Sequence, residues 1–171
     1  MGNRYERAMA ESGHRAAAER FHWRSALIQG ETHDANSYYS GGTAGNSGLF
    51  STVSDIFKMT REFFPETATL LKPESIRLFW KNFTPGQKSH RSLGFKLNTS
   101  IISSGGRALS PSAIGHSGFT GTSVWLEPSP GNQFILLSNR IHPDVKKMNF
   151  NHIRRRIHKL LKRDLNLTGI R

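Results

Sequence analysis

The sequence predicts an α/β fold of the α+β type, in which two helices precede a small antiparallel sheet and a further helix follows it. Apolar residues recur at helical spacing within residues 51–90, alternate with polar residues within 91–140, and return to helical spacing within 141–171. Only a few residues separate the strand-like segments, and short connections favour antiparallel pairing because parallel strands need a long crossover. We therefore expect a sheet of three to four antiparallel strands with flanking helices.

The helical part follows a Gly-rich stretch. Residues 30–50 have the composition of a loop, rich in Gly, Asn, Asp, Ser and Thr. Thr52 and Asp55 fit a capping box, and the helix they begin is expected to stop at Pro65. A second helix should start near Pro73, since proline suits a first turn. The residues at helical spacing are Val53, Ile56, Phe57, Thr60, Phe63 and Phe64 in the first helix and Ile76, Phe79, Trp80 and Phe83 in the second.

Four later segments carry strand patterns, and a helix follows them. Leu93, Phe95 and Leu97 alternate with polar residues, as in a half-buried strand. The other three segments are 112–118, 120–128 and 132–140, with a PSPGN turn between the last two. A helix from about Asn149 to Leu165 gathers its apolar residues on one face: Phe150, Ile153, Ile157, Leu160 and Leu161. Six Lys and Arg residues occupy the rest of it: Arg154, Arg155, Arg156, Lys159, Lys162 and Arg163.

The length of 171 residues fits a single domain with its own core. We divide it into an N-terminal segment with the Gly-rich loop (1–50), a helical part (51–90), the strands (91–140) and the basic C-terminal helix (141–171). Residues 1–20 are expected to form a short helix, because they include an Ala-rich stretch.

Several classes of protein and site are disfavoured by composition. There is no cysteine, so disulfides and thiolate metal sites are excluded. No run approaches the roughly 20 apolar residues of a membrane helix, and the polar N-terminus does not resemble a signal peptide, which by default predicts the cytoplasm. The eight histidines lack the spacings typical of zinc sites, H-x-x-x-H and H-E-x-x-H. We expect neither a metal nor another cofactor.

The charge is strongly positive and uneven. The net charge is +12, and residues 140–171 hold ten Lys or Arg against two Asp or Glu, a net of +8. Such a segment either attracts polyanions or anionic lipid surfaces, or is simply a solvated helix face, and the second reading is the commoner one. No aromatic residues are interleaved with the charges in the manner of a nucleic-acid site, so nucleic acid is not an expected partner.

The most informative segment is GHSGFTGTSVWLEPSPGNQFILLSNR, residues 115–140. It contains His116, Ser117 and Gly118, which fit a motif of Lys or His, then Ser or Thr, then Gly. Two further stretches precede it in order, GNSGLFST at 45–52 and RSLGF at 91–95.

Together these stretches resemble the serine β-lactamases and penicillin-binding-protein-like hydrolases, and among them the branch of esterases, D-aminopeptidases and class C β-lactamases. The resemblance covers about residues 27–160. It implies a partial β-lactamase/transpeptidase-like domain, from a family whose members are often periplasmic or secreted.

The resemblance also implies roles for the third motif. The Ser117 hydroxyl would hydrogen-bond a substrate carboxylate, and the His116 imidazole would bias the local field. The backbone N–H of Phe119 would be one donor of the oxyanion hole. Gly118 would let the substrate approach the strand edge, since it has no side chain.

The chain departs from the family in lacking the nucleophile motif. None of its serines is followed three residues later by lysine, and Y-x-N and S-x-N are also absent. In the family both motifs precede the matched region. We therefore expect a fragment of a hydrolase of esters, amides or D-amino acid peptides, inactive alone and completed by a separately encoded N-terminal half.

Two alternatives remain open at this stage. The chain is a catalytically inactive module that binds a substrate or a partner, or it is a polyanion-binding protein that acts through its basic C-terminus. A half domain exposes apolar surface and an unpaired strand, so self-association is also expected.

Overall fold

A computed structural model describes residues 28–99, 103–143 and 148–165. The helix expected within residues 1–20 lies outside this part of the chain. The described residues belong to two compact units, one of residues 28–52 and 138–143 and the other of the remainder.

The first unit contains a short helix, α1, from Ala35 to Tyr39. Its N-cap is Asp34, whose Oδ1 accepts from the Ser37 backbone N–H at 2.9 Å and from Asn46 Nδ2 at 3.2 Å. These bonds, that of Ser37 first, lower the pKa of Asp34. The expectation of a loop throughout 30–50 is thus wrong for five residues, because a capping aspartate starts a helix there.

Two helices open the second unit, as the sequence predicts. Helix α2 spans Val53–Thr60 and continues as a 3₁₀ turn over Arg61–Phe63, and helix α3 spans Pro73–Trp80 with its proline in the first turn. Phe83, expected on the second helix, lies beyond its end and is 44% exposed.

The sheet has four strands in the order β1-β2-β3-β4: Lys96–Leu97, Ile114–Ser117, Gly121–Leu126 and Gln133–Asn139. The pairs β1–β2 and β2–β3 are antiparallel. All four expected strands are present, and the α/β class is confirmed.

Strand β1 is shorter than the alternation of Leu93, Phe95 and Leu97 predicts. The chain turns sharply before it: Ser92 N donates to Phe95 O at 3.0 Å, and Gly94 has a φ of 73°. A positive φ is a conformation that glycine adopts readily. This turn leaves only two residues for pairing and exposes Leu93.

Apolar clusters lie on both sides of the sheet. Phe64, Ile114 and Leu126 form one cluster, which the aromatic residues Phe63, Phe79, Trp80 and Phe95 join. Leu109, Ala113, Trp125 and Phe134 form the other. Successive residues of a strand point to opposite faces, so Trp125 and Leu126 pack into different clusters. Helices α2 and α3 therefore pack on one side of the sheet, and the C-terminal helix lies near the other side.

The C-terminal helix, α4, spans Phe150–Asp164, close to its predicted bounds. Its most buried residues are polar and four apart: Arg154 is 4% exposed, His158 1% and Lys162 7%. Leu160 and Leu161, on the apolar face, are 38% and 39% exposed. The reading of the basic residues as a solvated face is thus wrong for Arg154 and Lys162, because each meets buried partners.

Glu127 is the partner of Lys162. Its carboxylate is fully buried, and Lys162 Nζ lies 2.7 Å from Oε2. Oε1 also accepts from the Ser110 backbone N–H at 2.8 Å, and Oε2 accepts from Asn132 Nδ2 at 3.1 Å. A buried charge is tolerated only when it is paired and hydrogen-bonded, and both conditions hold here. The pair joins α4 to the end of β3.

None of the helices within the described ranges is long and apolar enough to cross a membrane.

We predict that Lys162→Met lowers the free energy of unfolding by about 3–5 kcal/mol, because it leaves the Glu127 carboxylate buried without a counter-charge. Urea denaturation measures the change. Lys159→Met is the matched control, since Lys159 is exposed on the same helix and its loss should change stability by less than about 0.5 kcal/mol. Equal effects of the two substitutions would contradict the prediction.

We also predict that stability falls with acidification, because His158 is buried. Burial lowers the pKa of His158 below 6.5, and its Nδ1 lies 3.0 Å from the Gly105 carbonyl oxygen. The unfolded chain therefore binds the proton more readily. The contribution of neutral His158 to the free energy of unfolding is fully present above pH 6.5. It is lost as the pH falls toward the pKa of His158 in the folded state, by at most about 1.4 kcal/mol per pH unit.

Urea denaturation at about pH 7.5 and about pH 5.5 tests this dependence. The decrease in the free energy of unfolding on acidification should be smaller in His158→Gln than in the wild type. In His152→Gln it should equal that of the wild type, since His152 is exposed. A wild type equally stable at both pH values would refute it.

Candidate functional site

The four residues of the predicted third motif lie at one end of a strand. His116 and Ser117 are the last residues of β2, and Gly118 and Phe119 begin the turn into β3. Because side chains alternate along a strand, His116 and Ser117 point to opposite faces of the sheet. The turn is closed by Gly118 N, which donates to Thr122 O at 2.8 Å, and by Gly121 N, which donates to Gly118 O at 3.2 Å.

Glycines bring other groups close to this strand end. A Cβ at Gly115 would lie 2.4 Å from the Trp125 ring and from Val124 O, which is too close for any side chain. A Cβ at Gly118 would lie 2.5 Å from Thr122 Oγ1. The two glycines of GHSG are therefore needed for packing at this strand end.

His116 sits in a positively charged setting. Desolvation of its ring is the first cause that lowers its pKa below 6.5, and the charges of Lys96 and Arg91 lower it further, whereas a backbone hydrogen bond at Ser117 opposes them. The lowered pKa favours the neutral form of the imidazole. A neutral imidazole can accept a proton or a hydrogen bond, which a charged ammonium cannot do.

Arg154 of α4 donates hydrogen bonds to the backbone of the turn. Its Nη2 donates to Gly118 O at 2.9 Å and to Thr122 O at 3.0 Å, and its Nε donates to Gly121 O at 3.2 Å. Its Nη1 donates to Asn151 Oδ1 at 2.8 Å. A planar guanidinium can bind several fixed acceptors at once, which an ammonium does less well.

No sequence pattern singles out Arg154. It is one of six Lys or Arg residues on the same helix, and its partners are backbone oxygens that carry no sequence signal. Only the four-residue spacing of Arg154, His158 and Lys162 hints at a shared buried face.

Ser117 borders a cleft of about 200 Å³ that Asn151 and Lys96 also line. Ser117 is half-buried, and no described residue hydrogen-bonds its hydroxyl. Phe119 is 55% exposed at the tip of the turn. Chemically, the strand end offers hydrogen-bond donors and positive charge to a ligand. Within the described residues, no cluster of His, Asp or Glu could hold a metal ion.

Comparison with known proteins agrees with the family resemblance. The model of the family described as Beta-lactamase matches residues 5–155. A protein of Escherichia coli K12 named "Putative D-alanyl-D-alanine carboxypeptidase" is 29% identical over 131 residues, which are 71% of this chain and 29% of that protein. A protein of the same name from Salmonella typhi is 30% identical over 132 residues, with the same shares. The chain thus spans less than a third of the length of these relatives.

We predict that Arg154→Gln lowers the free energy of unfolding by roughly 2–4 kcal/mol, because a glutamine can satisfy at most one or two of the buried acceptors. The amide NMR signals of Gly118 and Gly121 should shift, since their turn loses its support. Urea denaturation and ¹H–¹⁵N spectra measure both effects. Arg156→Gln is the control, because Arg156 is exposed on the same helix. Unmoved turn signals in Arg154→Gln would show that the turn does not depend on the guanidinium.

Proposed function

Because the chain belongs to the Beta-lactamase family of serine hydrolases, we propose that it is the C-terminal part of a catalytic domain that hydrolyses esters, amides or D-amino acid peptides. It supplies the third motif, and another segment supplies the nucleophile and its base. The observation that carries this proposal is the strand end with His116, Ser117 and Gly118, supported by Arg154 beside an open cleft. Its short span relative to the curated relatives also supports it.

The proposed reaction is acyl transfer. A serine hydroxyl, activated by a lysine, attacks the carbonyl carbon of the substrate, and the carbonyl oxygen gains negative charge. The Phe119 backbone N–H would donate to that oxygen, which lowers the barrier most when the donor is already in place. The backbone hydrogen bonds of the turn and the Arg154 guanidinium support such preorganisation, because they hold the Gly118 carbonyl oxygen, which belongs to the same peptide group as the Phe119 N–H.

The side chains of the motif would bind the substrate from the two sides of the strand. The Ser117 hydroxyl would donate to a substrate carboxylate. It is available for this hydrogen bond because no described residue hydrogen-bonds it. The neutral His116 would lie on the opposite side and could accept a proton without first losing one. Because relatives carry the name "Putative D-alanyl-D-alanine carboxypeptidase", we propose peptides with a free terminal carboxylate as substrates.

A second candidate is a binding module without catalysis. The absence of S-x-x-K from the sequence favours it, as does the assembly of turn and cleft within one unit of the chain. Polyanion binding through the C-terminus has less support, because Arg154 and Lys162 are committed to buried partners.

Complementation tests the proposal. The chain is mixed with the N-terminal segment of a family member that contains S-x-x-K and Y-x-N, and hydrolysis of an activated ester is followed. We predict activity above that of either piece. With Ser117→Ala, kcat/KM should fall by about 10–100-fold, the effect of one hydrogen bond to a charged group. Ser54→Ala, on the exposed side of α2, is the matched control and should have no effect.

Absence of any gain on mixing would count against the hydrolase proposal. If the chain alone then bound a D-alanyl-D-alanine peptide in a calorimeter, the binding module would take its place. If Ser54→Ala lost as much activity as Ser117→Ala, the third motif would have no specific role in the reaction.

A further inference from the structure

Strand β4 forms one edge of the sheet, and no described strand pairs with its outer side. The part of β4 that belongs to the second unit comprises residues 133–137. Alternate N–H and C=O groups of an edge strand point away from the sheet, where they can pair with a further strand. Within the described chain, residues 133–137 form no backbone hydrogen bond outside the sheet. The edge therefore offers backbone donors and acceptors to a partner strand.

This edge lacks the features by which proteins usually protect such strands. Natural edge strands tend to carry lysine or proline, or to be bent by a bulge. Residues 133–139 read QFILLSN and include neither a charged residue nor a proline. Four consecutive apolar residues, 134–137, lie at its centre. Such an apolar, uncharged stretch at an edge is the kind that pairs with another strand.

Apolar side chains are also exposed beside the edge. The side chains of Thr60 in α2 and Gln133 are hydrogen-bonded, so α2 lies beside the start of β4. Because side chains alternate along a strand, Ile135 and Leu137 face the same side of the sheet as Gln133. Ile135 is half-buried, and Leu137 is 38% exposed. Helix α2 adds two exposed apolar residues one turn apart, Val53 and Phe57.

A second copy of the chain fits this edge without a conflict of charge. A two-fold axis perpendicular to the sheet makes two β4 strands antiparallel and brings the same stretch of each copy together. Because this stretch is uncharged, the pairing sets no like charges opposite each other, which would destabilise it. The same axis places α2 of both copies on one face of the joined sheet. The charged residues of α2, Asp55 and Lys58, form an ion pair at 3.3 Å, so the helix brings no net charge.

We propose that the chain forms a homodimer in which two β4 strands pair antiparallel, so that two four-stranded sheets join into one. The exposed apolar residues of β4 and α2 are covered at the same time, and their burial favours association. The net charge of +12 on each copy opposes it, and salt screens this repulsion. The dimer goes beyond the proposed hydrolase function, because it needs neither a nucleophile nor a substrate.

Sedimentation equilibrium of the full chain at about 10–500 µM tests the proposal. We expect a reversible equilibrium between monomer and dimer with a Kd below about 100 µM, which falls as NaCl rises from about 50 to about 300 mM. A monomer at every concentration would overturn the proposal, as would larger aggregates without a dimer. A Kd that rises with salt would indicate association through charges and would also overturn it.

Two variants locate the interface. Leu137→Lys should raise the Kd at least about tenfold, because it sets like charges close together across the two-fold axis. Leu161→Lys is the matched control, since Leu161 is 39% exposed on α4 against 38% for Leu137. Its Kd should stay within about twofold of that of the wild type. Equal weakening in both variants, or weakening in Leu161→Lys alone, would contradict an interface at β4.

Amide hydrogen exchange of the unaltered chain guards against a misfolded Leu137→Lys variant. Above the Kd, all the amides of residues 134–137 should exchange slowly, because both sides of β4 are paired. Well below the Kd, the amides that point away from β3 should exchange at least about tenfold faster. The amides of α4 should exchange equally at both concentrations. Exchange in β4 that does not change with concentration, in a chain that dimerises, would show another interface. None of these measurements requires catalysis, so a failed complementation leaves them unaffected.

Discussion

The buried guanidinium of Arg154 is the interaction on which the candidate site depends. It donates to the carbonyl oxygens of Gly118, Gly121 and Thr122, and so attaches the C-terminal helix to the turn between β2 and β3. Backbone carbonyl dipoles and the Asn151 amide oxygen stabilise its charge. Removal of the guanidinium would deprive these three carbonyl oxygens of a charged donor, which costs more than the loss of an exposed pair. The same group fixes the Asn151 amide and thereby one wall of the cleft. Turn, helix and cleft are therefore parts of one arrangement.

The helix as a whole reverses the usual distribution of charge. Its buried residues are Arg154, His158 and Lys162, whereas Leu160 and Leu161 are more than a third exposed. Buried charges contribute little net stability, but they permit few alternative packings, because each needs a particular partner. Glu127 and the turn carbonyls provide those partners. The partners of Arg154 and Lys162 thus join the helix to the sheet at two places. Self-association of a half domain through exposed apolar surface and an unpaired strand stays a prediction.

The sequence predicted those features that depend on local pattern. The strands, the start of α3 at Pro73 and the bounds of α4 follow from periodicity and turn chemistry. The role of the third motif, whose residues are consecutive in the sequence, stays a prediction. Features that depend on tertiary contacts were missed. Periodicity cannot show that the hairpin at Gly94 leaves β1 two residues long. Composition cannot separate Arg154 from five other basic residues. The cleft joins Lys88, Lys96 and Asn151, which are too far apart in the chain for any spacing rule.

The central claim is that α4 holds the turn of the third motif in place within this chain. Native-state amide hydrogen exchange of the unaltered chain tests it most directly, because the exchange rate reports the free energy of local opening. If the claim is correct, the amides of Gly118 and Gly121 exchange as slowly as that of Trp125, a fully buried residue of β3. Turn amides that exchange rapidly while Trp125 remains protected would show a mobile turn, and would contradict the claim.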